Sequence, residues 1–536
     1  MTTVVGPRWR VAQPKPSRSP CRGRATRSCR RAQKLAGSSS RRTGWANRTT
    51  PVLRGPGALK DAGDVASGEW VDEFSDLGDR KTADPMPLPQ IKQRKRVILV
   101  RHGQSTWNAE GRMQGSSNNS ELTEKGREQA VTTKSLLENA KFEATFVSPL
   151  KRAQSTSDIV WSSTKLKPEV LSSLREIDLY SFQGLVKKEA EKDFKEKYEL
   201  WKKHPAAFEI DGHSPVKELW FRASLAWEKI LRTEGTNVLV VAHNAINQAL
   251  LCSAIGLPPS YFRRFVQSNG AITAIDFFPN PSKKAAPKTV VDRMNQSPVR
   301  PSWSVSRPGS TSQKFVLIRH AATDSTDNSI ITGTLDRENL NKKGKEQVKK
   351  INTFLKDLEV DKVFCSPTKR TVQTGYQLAK GQKHKEVEVK LEERLANVYL
   401  GEWQGKPAAS LRGQAPPRDA ESLNVLNERV SEAWLDIRQQ AAMDGSKVTV
   451  IVAHAAIHAA IICSALELSP DYTSLFRLTP GSISVVTYPE GVLKGTGNVI
   501  CTNFTGHLGS LAEPATLSGE EEIFEDFEAC DWDGCF

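Results

Sequence analysis

The chain has 536 residues and a formal net charge of +15, long enough for two ordinary domains, each with a core of its own. The charge invites a nucleic-acid reading, but residues 1–60 hold twelve Arg, three Lys and no acid, so this segment carries the whole excess and the remainder is neutral on balance. No run of about twenty apolar residues occurs, so no membrane span is expected.

In chain order, residues 1–60 are rich in Arg, Ser, Thr, Pro and Ala, lack the apolar stretch of a secretory signal, and read as an organelle transit peptide. The other reading is a basic arm that binds nucleic acid. No aromatic-interleaved binding fold follows it, so nucleic acid is not an expected partner once the segment is removed. Residues 61–93 read as a polar, disordered segment. A first domain is expected over 94–280 and a second over 314–505. Between them, 281–313 is dense in Pro, Ser and basic residues and reads as a linker. Residues 506–536 form an acidic tail.

Of the eight cysteines, Cys252, Cys365 and Cys463 sit in apolar contexts where a buried free thiol is expected. No zinc-ligand spacing is present, and no cofactor is expected. Cys530 and Cys535 in the tail are the one candidate redox pair, which would place the protein under thioredoxin-type control.

The two domains repeat each other. "RVILVRHGQSTWN" answers to "KFVLIRHAATDST", "ELTEKGREQA" to "NLNKKGKEQV", "FVSPLKRAQST" to "FCSPTKRTVQT", and "NVLVVAHNAINQALLCSAIGL" to "VTVIVAHAAIHAAIICSALEL". His102 to His320, Gly126 to Gly344 and Arg152 to Arg370 each lie 218 residues apart, and His243 to His454 lie 211 apart. Strand-like runs at 96–100, 142–148, 237–242 and 271–277 alternate with helical patterns in the first copy. That alternation predicts an α/β fold, a mostly parallel sheet covered by helices on both faces. Ligands of such sheets collect outside the carboxyl ends of the strands, where Arg101, His102 and His243 fall.

A single His after a strand reads as a hydrogen-bonded structural residue. Two of them at different strand ends, joined by Arg101 and Arg152, read as a phosphate pocket. Arginine's planar fork of donors matches phosphate oxygens, and a neutral imidazole is a nucleophile toward phosphorus. Phosphoryl transfer needs chiefly placement and charge neutralisation, which these residues supply without a metal. A leaving alkoxide also needs a proton, which makes Glu176 the candidate acid.

"RHGQSTWN", "LTEKGREQA", "SPLKRAQST", "LREIDLYSFQG" and "VVAHN", in this order, resemble the histidine phosphatase superfamily, which includes the phosphoglycerate mutases. The likeness covers about 94–280 and, more loosely, 314–505, and implies two tandem phosphoglycerate mutase-like domains. It implies that His102 is the phosphorylated nucleophile, that Arg101, Arg152 and His243 form the phosphate pocket, and that Glu176 protonates the leaving group and then activates water. Asn108 and Asn244 match positions that line the pocket. "REIDLYSFQG" is closer to the phosphatase branch than to the "ERHYG" segment of the mutases. A phosphatase of a small sugar or sugar-acid phosphate is therefore expected, ahead of a mutase-like phosphotransferase or a non-catalytic phosphometabolite sensor. The tandem layout behind a transit segment is similar to plant enzymes of this superfamily, and implies a chloroplast stromal phosphatase acting on a sugar-acid phosphate that inhibits Rubisco.

The second copy departs from the motif. Asn397 stands opposite Glu176, and Gly103, Gln104 and Asn108 become Ala321, Ala322 and Thr326. Arg319, His320, Arg370 and His454 remain, so this copy reads as a degenerate pocket that still suits an anion. Glu393 is a possible replacement acid, against the register. In the first copy Gly212-His213-Ser214 replaces the family's Glu-Ser pair, which the second keeps as Glu421-Ser422. The segment 186–204 reads either as a solvated charged helix or as a lid presenting Lys187 and Lys188 to a second anionic group.

Overall fold

The computed structural model describes residues 85–162, 166–280, 285–306, 312–383 and 385–509. The transit-like segment, residues 61–84, the Cys530 and Cys535 pair and most of the acidic tail lie outside the described residues. The end of the segment read as disordered is ordered instead, with Leu88 and Ile91 packed against the core. The first copy contributes strands β1 (Lys95–Arg101), β2 (Ala144–Val147), β3 (Glu169–Val170), β4 (Asn237–Ala242), β5 (Ile272–Phe278) and β6 (Lys288–Gln296). The second contributes β7 (Lys314–Arg319), β8 (Lys362–Cys365), β9 (Glu388–Leu391), β10 (Val448–Ala453), β11 (Ile483–Thr487) and β12 (Asn498–Phe504). They form one twelve-stranded sheet in the order β3-β2-β4-β1-β5-β6-β12-β11-β7-β10-β8-β9. Read inward from its two ends, the order is the same, so the copies are related by a pseudo-twofold at the β6–β12 joint.

In each copy the outer four strands pair in parallel and the inner two antiparallel. The apolar runs are continuous because both faces are covered. Val97 and Leu99 of β1 pack with the helices Pro215–Arg232 and Asn244–Ala254, whereas Ile98 and Val100 pack with Glu124–Leu136 and Lys151–Val160. The larger of these clusters is shared by the copies, running from Trp220 and Trp227 to Trp403 and Trp434. Cys252, Cys365 and Cys463 are buried free thiols, and Cys501 is another. Among the described residues no helix is long and apolar enough to cross a membrane.

The linker reading of 281–313 needs correction. Its residues 288–296 are β6, which pairs along β5 and meets β12 through Met294 and Thr502. Side chains tie the joint: Asn503 Nδ2 donates to the Asp292 carbonyl at 2.7 Å and Asn295 Nδ2 to the Ile500 carbonyl at 2.7 Å. The strand escapes a sequence reading because its charges are buried rather than solvated. Arg96 reaches Asp276 at 2.8 Å and Asp292 at 2.6 Å, and Arg477 of the second copy reaches the same pair at 3.0 and 2.8 Å. Burial alone would raise the Asp292 carboxyl, but Arg96, Arg293 and Arg477 outweigh it and hold it at about 2. Removing one partner of such a buried pair costs about 3–5 kcal/mol. The network therefore penalises any register of the joint in which Arg477 misses the two carboxylates.

Candidate active site

The parallel strands bring four polar groups to one sheet edge. β1 ends at Arg101, and the His102 N–H donates to the Ala242 carbonyl at the end of β4, so His102 and His243 emerge side by side. Their rings lie 5.0 Å apart, edge to face. The loop after His102 passes hard against the helix Glu124–Leu136, where a Cβ on Gly126 would lie 2.0 Å from the Gln104 carbonyl. Gly344 makes the same approach in the second copy, which explains why this glycine appears in both.

His102 is buried, with Nδ1 2.6 Å from the Gly103 carbonyl oxygen. A carbonyl only accepts, so the ring proton sits on Nδ1 and Nε2 keeps its lone pair. Burial first, and then the charges of Arg152 and Arg101, push the imidazole well below its ordinary pKa. His243 is lowered in the same way by burial, Arg152, His102 and Arg101. Both rings are neutral at physiological pH, as a nucleophile toward phosphorus must be.

Arg152, fully buried at the start of the helix Lys151–Val160, donates to the Ser117 carbonyl at 2.6 Å and to the Gly115 carbonyl at 2.9 Å. Arg101 donates to the Gln267 carbonyl at 2.7 Å. Burial lowers each guanidinium to about 10, so both remain cationic. Arg101 Nε, Arg152 Nε and His243 Nδ1 are buried polar nitrogens with no partner. Orphaned buried donors of this kind call for a ligand rich in acceptor oxygens.

Glu176 is seated on the first turn of the helix Asn244–Ala254. One carboxylate oxygen accepts from the backbone N–H groups of Ile177, Ala245 and Ile246 at 3.0, 2.9 and 3.2 Å, and the other accepts from Ala245 at 3.1 Å. Its charge acts on both Arg101 and Arg152. Asn244 opens the same helix, with Gln248 donating to its Oδ1 at 3.1 Å. Asn108 Oδ1 accepts from Asn269 at 3.1 Å, and Asn269 also donates to the His102 carbonyl at 3.1 Å. The structure thus assembles Arg101, His102, Arg152, Glu176 and His243, with Asn108 and Asn244 at the margin.

The family model of the histidine phosphatase superfamily (branch 1) matches residues 97–285 and, a second time, 315–495. The chain belongs to the histidine phosphatase superfamily. A "2-carboxy-D-arabinitol-1-phosphatase" of Triticum aestivum is 38% identical over 461 residues, covering 82% of this chain and 92% of that protein. A "Probable 2-carboxy-D-arabinitol-1-phosphatase" of Arabidopsis thaliana is 37% identical over 441 residues, 80% of this chain and 90% of that protein. "Phosphoserine phosphatase 1" of Hydrogenobacter thermophilus matches one third of the chain, 27% identical over 181 residues, with 85% of its own length covered.

Three positioning groups of this histidine phosphatase escaped the sequence reading. Ser148 Oγ lies 2.7 Å from His243 Nε2, which turns Nδ1 away from it. Thr156 Oγ1 accepts from the Gly103 N–H at 3.1 Å. Arg222 donates to the carbonyls of Arg175 and Glu176 at 3.0 and 2.9 Å and so fixes the segment that carries the acid. The signal for it was present: Arg222 and Arg429 stand at matching places, each five residues before a core Trp.

The lysines of the suggested lid are exposed. Residues 186–204 form the helices Lys187–Asp193 and Lys195–Lys203, pinned by Phe194 against Phe182 and Trp201 against Phe208. His213 stacks flat on Tyr180 at 3.9 Å and meets Glu218 at 3.1 Å. Glu218 also accepts from the Tyr180 hydroxyl at 2.7 Å. An acid four residues on from Ser214 thereby tethers this corner, where the second copy uses Glu421 on Arg429.

In the second copy of the superfamily fold, Arg319, His320, Arg370 and His454 are buried in the same arrangement. Arg429 donates to the Asn397 carbonyl at 3.2 Å, as Arg222 does to that of Glu176, which establishes that Asn397 occupies the place of the acid. Glu393 is exposed and does not replace it.

Burial lowers His102, His243, His320 and His454 well below 6.5, and His458 and His507 to about 4. The unfolded chain takes up protons on histidine near pH ~6.5 while the folded chain refuses them, so stability falls as the pH drops below that value. Each ring contributes up to about 1.4 kcal/mol per pH unit until its folded pKa is reached. Urea midpoints followed by circular dichroism are expected to fall steeply between about pH 7 and about pH 5. Midpoints unchanged across that interval would show that these rings are protonated in the fold.

Proposed function

We propose that this histidine phosphatase hydrolyses 2-carboxy-D-arabinitol 1-phosphate, or a sugar-acid phosphate of the same build, in the plastid stroma. The observation that carries the chemistry is the neutral His102, its Nε2 lone pair available, beside three orphaned buried nitrogens and a carboxyl group. Nε2 attacks phosphorus, the ester P–O bond breaks, and the Glu176 carboxyl gives its proton to the departing oxygen. Arg101 and Arg152 neutralise the charge on the equatorial oxygens. Water then yields a proton to Glu176 and attacks phosphorus, and the N–P bond breaks to release phosphate and neutral imidazole. The proton that Glu176 then holds leaves with the phosphate or serves the next ester, so the acid–base cycle closes.

The substrate rests on the relatives, both plant proteins that share most of their length with this chain. The stromal location rests on the acid-free basic N-terminal segment and the same plant relatives. The test is phosphate release by the chain lacking about the first 80 residues. Sugar phosphates and sugar-acid phosphates, with 3-phosphoglycerate among them, form the panel. The carboxyarabinitol ester is expected to give a kcat/KM at least about tenfold above the others, a difference of ~1.4 kcal/mol in transition-state binding. Isomerisation of 3-phosphoglycerate without phosphate release would replace this reading with a mutase.

A further inference from the structure

We infer that the second pocket, built by Arg319, His320, Arg370 and His454, is a phosphate-binding site that holds its ligand without hydrolysing it. The ligand class is a phosphate dianion, free or as a monoester. The scaffold repeats the contacts that hold the first pocket's arginines and histidines, with one addition: Arg370 Nη2 also lies 3.4 Å from His454 Nδ1, where His243 Nδ1 has no partner. Arg370 donates to the Leu335 and Gly333 carbonyls at 2.9 and 3.0 Å, as Arg152 does to those of Ser117 and Gly115 at 2.6 and 2.9 Å. Arg319 donates to the Leu478 carbonyl as Arg101 does to that of Gln267. His320 Nδ1 lies 2.9 Å from the Ala321 carbonyl, which fixes the tautomer and leaves Nε2 with its lone pair. His454 Nε2 lies 2.9 Å from Ser366 Oγ, and the two rings stand 5.1 Å apart at 65°, against 5.0 Å and 61° in the first pocket. The backbone after the nucleophile position is held alike too: Gln347 accepts from the Ala322 N–H at 2.8 Å, as Gln129 does from that of Gln104.

What differs is the charge. Exchanging Glu176 for Asn397 removes one negative charge from the second pocket relative to the first. Among the described residues the acids near Asn397 in the chain are engaged elsewhere or exposed: Glu392 is held by Arg394, Glu421 by Arg429, and Glu393 is exposed. The exchange has two consequences of opposite sign. A phosphate dianion meets no carboxylate there and is held more tightly than in the first pocket. A departing alkoxide finds no proton and water finds no base, so the ester is not turned over.

Equilibrium dialysis of the chain with radiolabelled inorganic phosphate tests binding, and a labelled non-hydrolysable phosphonate in place of phosphate distinguishes the free ion from the ester. Two equivalents are expected, the tighter one in the second pocket. Arg370→Ala is expected to lose that tighter equivalent, and Arg370→Lys, which keeps the buried cation but loses the fork, to weaken it about tenfold. One equivalent in the parent chain, or two that Arg370→Lys leaves unaltered, would overturn the assignment. Turnover is tested by Asn397→Glu in a His102→Ala background. This chain is expected to bind the tighter phosphate about tenfold more weakly and to regain phosphate release that a further His320→Ala removes. Absence of any regained release would overturn the claim that the carboxyl group is what the second pocket lacks. The dialysis result stands apart from the proposed substrate of the first pocket, because it counts sites and requires no turnover.

Discussion

A His102→Ala chain is expected to release phosphate more than about 10⁴-fold more slowly than the parent. The loss is that large because the imidazole forms the bond to phosphorus and nothing beside it can: His243 keeps Nε2 on Ser148, and its ring stands edge-on to His102. Ground-state binding follows a different course. Arg101 and Arg152 are held by the carbonyls of Gln267, Ser117 and Gly115, none of which depends on His102, so the pocket stays formed. Inhibition by inorganic phosphate should therefore persist within a few-fold while kcat collapses, the pattern of an interaction made only in the transition state. Phosphate release at a tenth of the parental rate would remove His102 from the nucleophile's role.

Glu176→Gln is expected to lower kcat for alkyl esters by about 10²–10⁴-fold. The amide retains an oxygen to accept from Ala245 and Ile246, so the seat on the helix Asn244–Ala254 survives and the loss reads on proton transfer. The choice of substrate separates its two duties. An aryl ester whose phenolate leaves unaided needs no acid, so the first step is spared while water activation is not. The variant should then show a burst of phenolate, one per chain, followed by slow turnover. Equal losses with alkyl and aryl esters, and no burst, would make Glu176 a structural group for the helix and not the acid.

How far the sequence reached is clear from particular residues. The apolar run into Arg101-His102 was legible because a strand covered on both faces is continuous in its hydrophobicity, and because the chain states it twice. The convergence of His243 with His102 followed from placing both at strand ends. β6 was not legible. Asp292 is fully buried in it, and its partners Arg96 and Arg477 come from positions far apart in the chain. No local pattern announces a charge that will be neutralised across a joint. Arg222 was hidden for a similar reason, since its donors go to backbone carbonyls, which leave no mark on the residues that own them. The residues of the second pocket stand in the sequence, and the Asn397 carbonyl accepts from Arg429 as that of Glu176 does from Arg222. The hydrogen bonds that hold Arg370 and His454 as Arg152 and His243 are held run to backbone carbonyls and a serine, and leave no mark in the sequence.

The most direct test of the account is to locate the phosphoryl group during turnover. Substrate carrying radiolabelled phosphorus, mixed with the parent chain and quenched in alkali within the first turnover, should yield an alkali-stable, acid-labile label. Peptide mapping should place that label on the fragment containing His102, and it should be absent from His102→Ala. Label on the His320 fragment, or phosphate release with no labelled protein at any quench time, would contradict the account.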